Sequence, residues 1–171
     1  ICQVRKPVIA AIQGVAVGAG AVISAASDIR IASDRARFGF IFPQVGLCGA
    51  DMGAAYLLPR IVGQGHATEL LLTGEIFNAD RALEIGFINH KVTVDECVPK
   101  AMELAHKIAK GPAFAHQMTK TMLNSESHMT LAQAIEAEAQ AQAICMSHPD
   151  FLEAHHAWKE KRDPKFEGSP Y

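Results

Sequence analysis

Residues 6–40 read KPVIAAIQGVAVGAGAVISAASDIRIASDRARFGF, and this stretch decides the fold. It opens with a short apolar run rich in β-branched residues, which is typical of a buried strand. A glycine-punctuated loop follows, and the small residues after it predict a tightly packed helix. This order of strand, loop, helix and strand indicates an α/β protein. The predicted segments are strand 6–14, loop 15–20, helix 19–27, strand 28–33 and a further strand 36–42 that ends at Pro43.

The remainder of the chain changes character near residue 95. Before that point the pattern predicts a helix after Asp51 that Pro59 disturbs, short helices at 66–74 and 78–86, and a last strand at 87–93. After it only helical periodicity is present, in segments that begin near residues 95, 112, 129 and 149. We therefore predict an α/β part over residues 1–94 and a helical region over residues 95–171.

Composition is that of an ordinary globular protein and argues against two classes of partner. The chain has 171 residues, is 49% hydrophobic and 20% charged, and carries a formal net charge of −2. So small a net charge does not produce an electrostatic field that attracts a phosphate backbone, and we expect no nucleic-acid partner. The longest apolar runs are interrupted by Gln13 and by glycines, so we expect no membrane span.

The cysteines and histidines predict no metal site. The cysteines are far apart and form no C-x-x-C pair, which predicts free thiols in a reducing compartment. No histidine pair has the spacing of a metal-binding motif, although three lie close together in sequence. The histidines that lie close together are His148, His155 and His156.

The chain begins at Ile1, with a strand-like run almost at once, so it looks cut at its front end and an N-terminal signal could have been lost.

The glycine loop around Gly18 and Gly20 has three interpretations. A dinucleotide site would need G-x-G-x-x-G, but Ile23 stands at the last glycine position. A tight turn with close helix packing is the simplest interpretation. In the third, the unpaired N–H groups at the start of the following helix polarise a carbonyl oxygen.

Asp51 is the one carboxylate in the segment VGLCGADMGAAYLLPRIVG, residues 45–63. It precedes a helical pattern, so it could be the N-cap of that helix. It also lies in apolar surroundings, which favour a carboxyl group that accepts and returns a proton near neutral pH. The local sequence leaves both roles open.

The chain ends in a basic and aromatic helix, AWKEKRDPKF at residues 157–166. Positive charge at a helix C-terminus is often no more than a solvated end that complements the helix dipole. The alternative is a site that stacks and pairs with a nucleotide-like ligand. Trp158 and Lys161 are three residues apart, which predicts that they share one helix face.

Taken together, these blocks resemble the enoyl-CoA hydratase/isomerase (crotonase) superfamily, in the expected order and over nearly the whole chain. The matching blocks are residues 6–40, residues 45–63, ATELLLTGEIFNADRALEIGFINHKV at 67–92 and the helical tail. The resemblance implies an α/β fold of the ClpP/crotonase type, a spiral of ββα units followed by a helical C-terminal trimerisation region. It also implies that this chain is the C-terminal part of a longer family member.

The resemblance implies a site that binds acyl-CoA thioesters and stabilises an enolate. The thioester oxygen would lie between two backbone N–H groups, one from Ala19 and one from an element preceding Lys6 that the chain lacks. The two glutamates that hydratases use are replaced here by Val22 and Phe42. Asp51 falls where several isomerases and aryl-CoA dehalogenases of the family keep a catalytic aspartate. The implied substrate-binding residues are Gly18, Gly20, Val22, Phe42, Trp158 and Lys161.

These positions predict an acyl-CoA double-bond isomerase in which Asp51 shuttles the proton. The alternatives are a hydratase, a hydrolase or dehalogenase in which Asp51 is the nucleophile, and a non-catalytic acyl-CoA-binding homologue. We expect no cofactor beyond the coenzyme A of the substrate, because the chemistry needs neither metal nor redox group. The resemblance further implies a homotrimer or hexamer, located in the cytoplasm or, in a eukaryote, in the mitochondrial matrix.

Overall fold

The structure is a computed structural model and describes residues 1–166. Packing divides the chain into two compact units. The first contains residues 1–2 and 8–103, and the second contains residues 3–7 and the chain from residue 104 onward. The boundary falls inside one helix, nine residues beyond the predicted boundary at residue 94, which stays a prediction.

The first unit contains two small sheets. One has the order β1-β3-β6 and is parallel throughout. The other has the order β2-β4-β5, in which β2 and β4 are parallel and β4 and β5 antiparallel. The strands are β1 (Ile9–Ile12), β2 (Val15–Val17), β3 (Ile29–Ser33), β4 (Arg37–Gly39), β5 (Ile76–Asn78) and β6 (His90–Val92).

Helices connect and cover these strands. The two helices that follow the first two strand pairs, α1 and α2, pack against each other. The helices are α1 (Ala19–Ala26), α2 (Ala54–Thr73), α3 (Ala79–Glu84) and α4 (Val94–Ala109), with a 3-10 helix at Phe42–Val45.

The topology is a repeated ββα unit. The chain runs β1-β2-α1 and then β3-β4-α2, and the two units are parallel in both sheets. Ile9 is opposite Ile29 in one sheet, and Val15 is opposite Arg37 in the other. Each ββα unit therefore adds one strand to each of the two sheets. This repetition produces the spiral of ββα units that the family resemblance implies.

An aromatic cluster lies at the centre of the first unit. Phe87 makes edge-to-face contacts with Phe38 and Phe77, with ring centroids 5.1 and 5.6 Å apart, and with Phe40 at 6.1 Å. The guanidinium of buried Arg30 lies over the same ring and donates to the Phe87 carbonyl at 2.5 Å. The burial that desolvates this guanidinium lowers the pKa of Arg30. Phe87 therefore joins the second sheet to the strand that carries Arg30.

The structure differs from the predicted elements in four places. Residues 15–17, predicted as loop, form β2, because three residues between two glycines suffice to pair with β4. The predicted strand 36–42 stops at Gly39, and Pro43 lies in the first turn of a 3-10 helix. Helix α2 continues past Pro59 and breaks at Gly63, whose φ of 79° and ψ of 160° suit glycine. The short strand β5 was not predicted.

The second unit consists of helices, in agreement with the periodicity of its sequence. Thr130 and Gln133 form a reciprocal capping box that starts one of them. Consecutive helices pack against each other along the chain, α5 on α6 and α6 on α7. They are α5 (Ala113–Ser125), a 3-10 helix at Glu126–His128, α6 (Leu131–Met146) and α7 (Pro149–Glu160).

A cluster of ion pairs lies at the C-terminal end of α7. Arg162 donates to both carboxylate oxygens of Glu153, at 2.6 and 3.1 Å, and to Glu160 at 2.6 Å. The Lys165 amide donates to Glu153 at 2.7 Å. These hydrogen bonds, those from Arg162 above all, lower the pKa of Glu153 to about 2. The residues after the helix are thereby tied back to it.

We expect truncation of Phe87 to destabilise the first unit strongly. Phe87→Ala removes the side chain that Phe38, Phe40 and Phe77 contact, and such changes cost about 3–5 kcal/mol. Leu72→Ala, on the exposed side of α2, should cost less than about 0.5 kcal/mol. Urea unfolding of both variants measures the difference, and equal losses would show that the aromatic cluster is not the core of this unit.

We expect the Glu153 cluster to make stability depend on acid pH. Because its pKa is lowered in the folded state, Glu153 contributes stability above the ordinary value near 4.5, and this is lost as pH falls towards 2. The midpoint temperature of thermal unfolding, measured between pH 6 and pH 2, should therefore fall less steeply with decreasing pH in Glu153→Gln than in the wild type. Glu138→Gln, exposed on α6, is the control and should keep the wild-type slope.

Candidate active site

The start of α1 presents unpaired backbone donors. The first hydrogen bond of the helix runs from the Val22 amide to the Gly18 carbonyl at 3.1 Å. The amides of Ala19, Gly20 and Ala21 precede it, and none has a hydrogen-bond acceptor within residues 1–166. Ala19 is exposed. Its N–H can therefore reach a carbonyl oxygen outside the protein core, with the helix dipole adding partial positive charge there.

Gly18 fixes where this helix begins. Its amide donates to the Gly39 carbonyl at 2.8 Å, at the point where β2 pairs with β4. Its φ of 53° and ψ of −120° belong to a region that only glycine adopts without strain. At Gly20, by contrast, an added Cβ would lie 3.8 Å from the Ala16 Cβ, an ordinary contact. The turn thus requires glycine at position 18 for its backbone conformation.

Val22 and Phe42 lie in the hydrophobic core of the first unit. Val22 is 2% exposed and Phe42 is 8% exposed. Neither side chain can accept or donate a proton. Their assignment to substrate binding stays a prediction, but their apolar burial means that they supply no acid or base to the site.

Asp51 is not the N-cap of α2. That position belongs to Gly53, and no side chain caps the helix. The carbonyl of Asp51, rather than its carboxylate, accepts the Ala54 amide at 2.8 Å. The expectation that apolar residues surround Asp51 is also wrong, because Asp51 is exposed. Its carboxylate is therefore not used to start the helix.

The loop before Asp51 is braced by the second half of α2. Gly49 lies so close to the Leu71 carbonyl that an added Cβ would overlap it. Gln44 donates to the Gly74 carbonyl at 2.7 Å. Neither contact was predicted from the sequence, although a glycine two residues before the candidate acid was a possible signal. The candidate acid and the donors of α1 thus lie in one unit, on loops whose backbones are fixed.

Trp158 and Lys161 lie in the second unit, at the C-terminal end of α7. The helix ends at Glu160, and Lys161 is its C-cap, with a φ of 55° in the left-handed region, so the two residues are not on one helix face as predicted. Both nevertheless line the same pocket at this end of the helix. Trp158 is 76% exposed and stacks on His155, with ring centroids 6.3 Å apart. Arg162, the other cation of this end, is engaged by Glu153 and Glu160.

Within residues 1–166, no group of three or more His, Cys, Asp or Glu side chains could hold a metal ion. None of the described helices combines the length and the apolar character needed to cross a membrane.

The two stacked ββα units with a helical extension are the crotonase fold. The family of enoyl-CoA hydratases and isomerases matches residues 1–169, and the chain belongs to this family. A solved Streptomyces coelicolor structure, provisionally assigned as an enoyl-CoA hydratase, superposes with a TM-score of 0.96 at 48% identity. The alignment covers 99% of this chain and 62% of that one.

Curated relatives have different activities. The chain is 36% identical over 163 residues to a crotonyl-CoA hydratase of Syntrophomonas wolfei, covering 95% of this chain and 62% of the relative. It is 35% identical over 168 residues to a 1,2-epoxyphenylacetyl-CoA isomerase of Escherichia coli, covering 98% and 64%. The chain therefore spans less than two thirds of the length of these relatives.

We expect Gly18→Ala to disturb the start of α1 through backbone strain alone. No atom lies within 4 Å of the added Cβ, so the cost of about 1–3 kcal/mol would come from the φ of 53°. Gly14→Ala is the matched control, since its Cβ also meets nothing and its φ is not in the strained range. Chemical unfolding compares the two, and a Gly18 variant as stable as the Gly14 variant would contradict the strain.

Proposed function

We propose that the protein shifts a double bond in an acyl-CoA thioester, with Asp51 as the proton shuttle. The observation that carries this proposal is the combination of the exposed Asp51 carboxylate, on a fixed loop, with unpaired helix-start donors in the same unit. The positions at which the family's hydratases keep two glutamates hold buried Val22 and Phe42. One acid suffices for moving a proton between two carbons, whereas activating water by the usual mechanism uses two.

The proposed reaction conserves atoms and electrons. The Ala19 N–H, with a second donor from elsewhere in the complete protein, polarises the thioester carbonyl. The Asp51 carboxylate removes a proton from the acyl chain, and the electrons of that C–H bond move into the conjugated enolate. The same carboxyl group returns the proton at another carbon of that system. No electrons are gained or lost, so the reaction needs no redox cofactor, and the backbone donors rather than a metal polarise the carbonyl in this proposal.

Rigid placement of both groups supports this role. The Ala19 donor is set by the Gly18 turn and its bond to the Gly39 carbonyl. The Asp51 loop is set by the contact between Gly49 and Leu71. Donors that are already oriented need not reorganise when negative charge develops on the thioester oxygen.

We further propose that the protein assembles into a homotrimer or hexamer, with Trp158 and Lys161 touching the coenzyme A of a neighbouring subunit. Large apolar side chains of the second unit are exposed, which is unusual unless a partner covers them. Leu131 is 77% exposed, and Trp158 is 76% exposed. Both helices that carry them are regular and well capped, so the exposure is not a consequence of poor local structure.

Hydration is the principal rival, because one of the relatives is named as a crotonyl-CoA hydratase. It would require Asp51 or another group to activate water without the two glutamates. The two reactions are separated by their substrates, since isomerisation begins from a 3-enoyl-CoA and hydration from a 2-enoyl-CoA.

We expect Asp51→Asn in the complete gene product to lower kcat for isomerisation of a 3-enoyl-CoA by about 10²–10⁴-fold, the usual worth of a general base. The amide keeps the size of the side chain but cannot accept the proton. Asp34→Asn, a second exposed aspartate of the same unit, is the control and should retain activity.

Hydration of a 2-enoyl-CoA is measured in parallel with both variants. An unchanged kcat for isomerisation in Asp51→Asn would contradict the proposed role of this acid. A wild-type enzyme that hydrates but does not isomerise would favour the rival reaction. A covalent adduct at Asp51, detected by mass spectrometry, would instead identify a nucleophile.

A further inference from the structure

A tight turn connects Asp51 to the helix that follows it. The Asp51 carbonyl accepts the Ala54 amide at 2.8 Å across Met52 and Gly53. Both central residues have positive φ, 50° for Met52 and 92° for Gly53. Two consecutive positive φ angles inside a four-residue hydrogen-bonded turn are the pattern of a type I′ turn.

Glycine is the expected residue at such positions, but methionine is not. Within residues 1–166 only Met52 and Lys161 are non-glycine residues with positive φ. Lys161 ends a helix, where a left-handed residue is common. Met52 stands beside the candidate acid, and residues in sparsely populated conformations persist only where the surrounding structure determines them.

The chain is fixed on both sides of this turn. Before it, Gly49 is pressed against the Leu71 carbonyl. After it, fully buried Ala54 begins α2. The Asp51 backbone is therefore held between these two points, and the two residues that join it to α2, Met52 and Gly53, are both in the left-handed region.

The side chain of Met52 does not account for its conformation. It is 56% exposed, so packing of the thioether against the protein is slight. The feature that matters at this position is consequently the backbone angle.

We infer that Met52 is a positioning residue whose left-handed backbone conformation, rather than its thioether, orients the Asp51 carboxylate for proton transfer. This inference rests on the proposed function of Asp51. It predicts that residues that tolerate positive φ can replace methionine, and that β-branched residues cannot.

The test compares three replacements that all lack the thioether. Met52→Val should force the turn out of the left-handed region and lower kcat for 3-enoyl-CoA isomerisation by about 100-fold, with KM little changed. Met52→Asn and Met52→Gly tolerate positive φ and should restore most of kcat. Met102→Val, an exposed methionine on α4, controls for the substitution itself.

Each outcome decides the inference. Wild-type kcat in Met52→Val overturns it, and so does a loss in Met52→Asn and Met52→Gly as large as that in Met52→Val, because the thioether would then be the active feature. Circular dichroism establishes that each variant is folded. If Met52→Val does not fold, retention of kcat by Met52→Asn and Met52→Gly still supports the inference and its loss still overturns it.

Failure of the proposed function has a different signature. Isomerisation that survives Asp51→Asn rejects Asp51 as the base, whatever the Met52 variants do. Isomerisation that Asp51→Asn abolishes but Met52→Val leaves intact rejects only the positioning role of Met52.

Discussion

The parallel pairing of β2 with β4 determines where the candidate site forms. Residue Val17 is opposite Gly39, and the chain must leave β2 one residue later, at Gly18. The Gly18 amide is then held by the Gly39 carbonyl while its backbone turns through a conformation open only to glycine. The first amides of α1 follow immediately. A three-residue strand pair therefore fixes the donors that the proposed chemistry requires.

The two groups of the proposed site are built by different physical means. The Ala19 donor depends on a hydrogen bond between strands and on the geometry of a helix end. Asp51 depends on steric contact, since Gly49 fits against a carbonyl of α2 only because it has no side chain. Val22 and Phe42 pack into the core behind them and carry no charge. The proposed site thus combines the fixed dipole of α1 and the carboxylate of Asp51 with an apolar interior.

The sequence predicts much of this architecture where a pattern is long enough to be distinctive. The β-branched run around Ile9 and the alternation around Ile29 correctly predict β1 and β3. The strands β2 and β5 have three residues each, too few to show a period, and tertiary pairing determines them. The N-cap prediction for Asp51 was wrong because Gly53, two residues later, adopts the left-handed conformation that starts α2. The chemical roles of Ala19 and Asp51 came from the family resemblance, since neither residue has a distinctive local motif.

The contacts that support the Asp51 loop join residues that are near one another in sequence. Helix α2 carries the Asp51 turn at its first end, and its later residue Leu71 supports the loop at Gly49. The two supporting residues are only 22 positions apart in sequence. Partner strands of successive ββα units are similarly close, since Ile9 pairs with Ile29, 20 positions later. Contacts between residues so near in sequence close small loops, which favours rapid folding. The framework around Asp51 can therefore assemble from a short stretch of chain during folding, before more distant segments have been ordered.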